Sequence, residues 1–152
     1  MYFIDRNKIT ETVGYMNSLL ALYEEKKDWP SFTEQLALER LANNVIESII
    51  DVGNSMIDGF IMRDPGSYDD IIDILTDEKV IDAEMDQPLK KVVELRKMLV
   101  REFMKADHQK IHSVLSSNLP ALKKFGPKVE HYLTHELGPV SAFLPEANDE
   151  KL

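Results

Sequence analysis

Apolar residues recur at steps of three and four along almost the whole chain, and no stretch alternates apolar and polar residues with a period of two. The pattern predicts helices throughout. Ile9, Val13, Met16, Leu20 and Tyr23 make one apolar face, and Asp5 is placed to cap the first helix. A loop is expected from Lys26 to Pro30, because proline discourages further helix. Ser31 with Glu34 three residues later is a capping-box arrangement. Leu38, Leu41, Val45, Ile49, Val52 and Met56 then form the stripe of a second helix, running to about Asp58 with Gly59 as its terminator. About 27 residues at 1.5 Å each span roughly 40 Å, so this helix is the expected spine.

Arg63 to Gly66 reads as a turn, after which Ser67 and Asp70 cap a short helix presenting Ile71, Ile72, Ile74 and Leu75. Asp86 and Pro88 are expected in the opening turn of a fourth helix, with Leu89, Val92, Val93, Leu99, Val100 and Phe103 in the core. A last region holds Ile111, Val114, Leu115, Leu119, Leu122 and Phe125, extended by Val129, Tyr132 and Leu133. Pro120 and the pair Gly126-Pro127 are expected to bend or split it. The prediction is an all-α, four- to five-helix up-and-down bundle over residues 1–137. Residues 138–152 make a partly flexible tail in which Val140, Phe143 and Leu144 can dock on the bundle.

Composition narrows the classes. With 152 residues, 43% of them hydrophobic, the chain can bury one core. No run approaches the roughly 20 apolar residues of a membrane span. The first residues lack the basic-then-apolar pattern of a secretory signal. Cysteine is absent, which removes disulfides and thiolate metal sites and agrees with a cytoplasmic location. A formal net charge of −9 disfavours DNA and anionic membranes, although a local basic patch can still hold RNA.

Three features bear on chemistry. Asn44, Glu47, Asp51, Asn54 and Asp58 share one face of the second helix, either as a solvated surface or as the polar wall of a cleft. In the cleft reading Glu47, Asp51 and Asn54 position a ligand, and a phosphate there requires a cationic partner. His108/His112 and His131/His135 are spaced four apart, but no third ligand is evident, so neither metal nor other cofactor is expected. Arg96 lies among core-type residues, an unusual place for a guanidinium unless it emerges into a cleft or snorkels along an edge.

The order of helices, the segment from Asp51 to Tyr68 and the block from Leu95 to Phe103 together resemble the HepT-like branch of the HEPN superfamily. The resemblance implies a helical bundle that forms a homodimer with two active sites near a shared cleft. It also implies metal-independent RNA cleavage and a minimal nucleotidyltransferase antitoxin as partner, able to adenylate a toxin tyrosine. The family motif is Arg, usually Asn, then His four to six residues on, any residue and Tyr. Here Arg96 matches the arginine, Lys97 stands for Asn, Arg101 for His and Phe103 for Tyr.

An arginine stays protonated at physiological pH and cannot serve as general base, and Phe103 has no hydroxyl to modify. Arg96, Lys97 and Arg101 can still grip phosphate. The loosest form of the motif also fits Arg101 with His108, so Arg96, Arg101 and His108 are the candidate catalytic residues. The leading expectation is a binding protein with lost or weakened ribonuclease activity. The alternatives are an active endoribonuclease toxin and a non-catalytic module that holds a nucleotidyltransferase.

Overall fold

A computed structural model describes residues 4–136, and every regular element in that range is helical. The expected tail beyond residue 136, with Val140, Phe143 and Leu144, lies outside the described residues. The elements are α1 (Arg6–Glu25), α2 (Phe32–Gly59), α3 (Tyr68–Asp77), α4 (Ala83–Glu94), α5 (Arg96–Arg101), α6 (His108–Ser117) and α7 (Leu119–His135). A 3-10 turn, Phe103–Lys105, follows α5. The 28-residue α2 is the spine, packed against α1, α3, α4, α5 and α6, while α7 closes the bundle against α1, α4 and α6.

Local signals act where the chain places them. Asp5 accepts from the Asn7 amide, and Ser67 accepts from that of Asp70. Ser31 and Glu34 exchange both capping-box bonds. Each bond satisfies a first-turn amide that the helix cannot pair itself. The apolar stripes converge on one core: Ile9, Met16, Leu38, Ile49, Met56, Leu75, Leu89 and Phe125 are all essentially inaccessible.

Several expected boundaries move. Gly59 is the last residue of α2 rather than its stop, and Ile61 takes the left-handed position, with φ 55°. The Met62 amide bonds the Ile57 carbonyl and the Ile61 amide that of Asp58, the Schellman closure, with isoleucine where glycine is usual. Pro88 is not in the opening turn. The helix begins at Ala83, because the extra turn buries Met85 on the face of Leu89 and Val92.

The fourth helix is also interrupted. A tightened turn at Leu95, whose amide bonds the Val92 carbonyl, separates α4 from α5 and turns the following residues. Leu99 stays in the core, but Val100 and Phe103 are 45% and 61% exposed, contrary to the sequence expectation. The last region splits at Asn118, next to Pro120, whereas Gly126 and Pro127 continue within α7. A Cβ on Gly126 would lie 2.8 Å from Val13 Cγ1, so its bare backbone lets α7 approach α1. Gly53 does the same for α3, where a Cβ would meet Ile71 Cγ2 at 2.4 Å.

Two caps carry perturbed carboxylates. Lys26, then the Ser31 hydroxyl and amide, bring Glu34 from its ordinary 4.5 to about 2. Arg63, then the Gly66 amide, bring Asp70 from 3.8 to about 2. Depressed folded-state values mean that the stabilisation is present above the unfolded values and is lost as pH falls towards about 2. Urea midpoints are therefore expected to drop between pH 4.5 and 2, and the drop should be shallower in Glu34→Gln and Asp70→Asn. An unchanged acid slope in both variants would contradict this.

Candidate functional site

The polar stripe of α2 is the wall of a cleft against α1. Asn44, Glu47, Ser48 and Asp51 face Lys8, Glu11, Thr12 and Tyr15 across a groove of about 410 Å³. A second hollow of about 200 Å³ shares Lys8, Thr12 and Asp51 and adds Asn54 and Asp58. Glu47, Asp51 and Asn54 thus line cleft surface, and Lys8 supplies a cation beside the acidic wall. Asn44 donates to the Tyr15 hydroxyl at 2.7 Å, bridging α2 to α1.

Arg96 pairs with one of the cleft residues. Its Nε donates to Glu47 Oε1 at 2.9 Å, and its guanidinium carbon lies 4.8 Å from the centre of the Tyr68 ring. Both ion-pair partners are partly exposed, at 31% and 40% of their side chains. The Glu47 carboxylate raises the guanidinium pKa above its ordinary value, so Arg96 is charged at every relevant pH. Glu47 takes only Nε. Among the described residues nothing accepts from the two terminal nitrogens, the pair suited to a bidentate phosphate contact.

The other two cations of α5 do not join it. Lys97 and Arg101 are exposed and four residues apart, hence on one face, while Arg101 is rotated about 140° from Arg96 around the helix axis. Phe103 and Met104 beside them are also exposed.

His108 opens α6, and its Nε2 lies 2.7 Å from Glu39 Oε2. The shared-face argument for Arg101 and His108 fails, because the chain between them leaves the helix through the 3-10 turn. Nor does His108 converge with Arg96. Their carboxylate anchors, Glu39 and Glu47, are eight residues apart on α2, about 12 Å along its axis. His112 Nδ1 lies 2.8 Å from the Tyr23 hydroxyl, which also contacts Ser116 Oγ at 2.6 Å. His131 and His135 stack on each other at 4.1 Å. Among the described residues no group of three His, Asp or Glu side chains is arranged to hold a metal.

Sequence reasoning found Arg96 and Glu47 but not their contact, and it missed Tyr68 and Glu39. No local signal reveals these partners, because the contacts bridge helices distant in the chain.

Fold, cleft and arginine together describe an all-helical domain with a polar groove and a guanidinium paired beside it. Residues 9–129 match the model of the family described as Ribonuclease HepT-like, and the chain belongs to that family. It is 49% identical over 143 residues to the Bacillus subtilis (strain 168) protein named "Putative RNase YutE", covering 94% of this chain and 99% of that protein. The solved structure of YutE, described as a cytosolic protein of unknown function, superposes with a TM-score of 0.87 over 94% of this chain and all of that one. A tri-AMPylated Shewanella oneidensis HEPN toxin in complex with its MNT antitoxin matches with a TM-score of 0.68 at 18% identity, over 82% of this chain and 95% of that one. A toxin–antitoxin with AMP-PNP matches with a TM-score of 0.69 at 19% identity, over 80% and 96%. At such identities the likeness of these last two is one of fold. No helix among the described residues is long and apolar enough to cross a membrane.

Proposed function

We propose that this HepT-like protein binds single-stranded RNA through Arg96 and has lost, or nearly lost, the ability to cut it. One feature carries the reading: an exposed arginine, Arg101, stands where the family resemblance expects the proton-shuttling histidine, while His108 is engaged by Glu39 on α2. Cleavage by a ribose 2′-hydroxyl requires proton transfer as well as charge stabilisation. The Arg96 guanidinium supplies the second and not the first.

The protein acts as a cytoplasmic homodimer, with a minimal nucleotidyltransferase as its candidate partner. The partner reading draws support from the fold shared with toxins in antitoxin complexes, and the location from the cytosolic description of YutE.

Purified protein incubated with single-stranded RNA is expected to retain the RNA and leave it intact, and light scattering is expected to give twice the 17.5 kDa chain mass. Multiple-turnover cleavage abolished by Arg96→Ala, or by His108→Ala, would replace the binding reading with the endoribonuclease one. A species of single-chain mass at micromolar concentration would remove the dimer.

A further inference from the structure

Tyr68 is a large aromatic side chain left 44% exposed at the head of α3, although α3 buries Ile71, Ile72, Ile74 and Leu75 one turn later. The guanidinium of Arg96 lies against the ring at 4.8 Å, within the range of a cation–π contact. The contact leaves the residue as a whole well exposed.

The backbone that presents this ring is braced. Asp70 accepts from Arg63 Nη1 and Nη2 at 2.8 and 2.9 Å and from the Gly66 amide at 2.8 Å. Ser67 caps the helix immediately before Tyr68. Arg63 is thereby engaged by a carboxylate, whereas Arg96 keeps its terminal nitrogens clear of any described partner. A partly exposed aromatic ring on a braced helix start, backed by a guanidinium able to take phosphate, has the chemistry that recognises an unpaired nucleotide. Base pairing in a duplex would hide the base face that the ring needs.

We propose that Tyr68 is the base-stacking residue of the RNA site, holding one unpaired nucleobase against its ring while Arg96 holds the adjoining phosphate. The proposal rests on the RNA-binding reading above.

The test is fluorescence anisotropy with a labelled single-stranded RNA hexamer and with a hexamer of the same backbone made abasic. The proteins are the wild type, Tyr68→Phe and Tyr68→Leu, each measured at several salt concentrations. Tyr68→Phe should bind the normal hexamer as the wild type does, since the π face is retained. Tyr68→Leu should bind it roughly ten-fold more weakly, with an unchanged salt slope, because stacking is not a counterion effect. On the abasic hexamer all three proteins should bind alike. Equal binding of the normal hexamer by Tyr68→Leu and wild type would overturn the stacking role alone. So would an equal loss by Tyr68→Leu on both hexamers, which marks a general disturbance. No binding by the wild type would overturn the RNA reading itself, and the stacking role with it.

Discussion

Replacing Arg96 by alanine is expected to weaken binding of single-stranded RNA by about ten- to a hundred-fold, the scale of losing charge-assisted hydrogen bonds to one phosphate. The slope of log K against log salt should also become shallower by about 0.7, because one fewer phosphate is neutralised. The same site predicts an opposite response from its acidic partner. Glu47→Gln keeps an oxygen to accept from Arg96 Nε but removes a negative charge beside the phosphate position, so RNA should bind a few-fold more tightly at low salt. Neither change should unfold the protein, since a partly exposed ion pair contributes only about 0–1 kcal/mol. Anisotropy titrations across a salt series decide the matter. An unaltered affinity and slope in Arg96→Ala would mean that the guanidinium is a structural member of the bundle edge.

The second large effect concerns the core. Phe125 on α7 is fully buried, and Phe125→Ala is expected to lower the unfolding free energy by about 3–5 kcal/mol. A loss of that size is a large share of the roughly 5–15 kcal/mol of a typical domain. Phe103 has the same side chain in the opposite setting. With 61% of its surface exposed, Phe103→Ala should alter stability by no more than about 0.5 kcal/mol. Urea denaturation of the two variants against the wild type measures both. A comparable loss at Phe103 would place that ring in a packed interface, and a small loss at Phe125 would contradict its burial in the core.

The pair of phenylalanines also marks where pattern reading stopped working. Leu89, Val92, Val93 and Leu99 follow helical spacing and are buried, and the same spacing carried forward selects Val100 and Phe103. The tightened turn at Leu95 and the end of α5 after Arg101 rotate these two outward. A spacing argument assumes one uninterrupted helix, and nothing in the local sequence announces the interruption. The mirror case is Gly126-Pro127, which looks like a break and is not one. Glycine is required there because α1 lies so close, and packing of Phe125 and Val129 outweighs the hydrogen bond that proline omits.

The candidate site divides in the same way. The basic block with Arg96, Lys97 and Arg101 is visible in the chain, its reading as a substituted motif comes from the family resemblance, and the α2 stripe is visible from its spacing. Whether that stripe faces water or a cleft depended on α1 lying across it with Lys8.

The all-α class and the N-caps of the first three helices were written in the sequence, because each rests on residues within a turn or two of one another. Only the tertiary structure decided which side chains meet. Arg96 reaches Glu47 across 49 positions, His108 reaches Glu39 across 69, and Tyr23 reaches His112 across 89. Such contacts are fixed by how whole helices pack, and periodicity along a chain carries no information about which helix lies opposite.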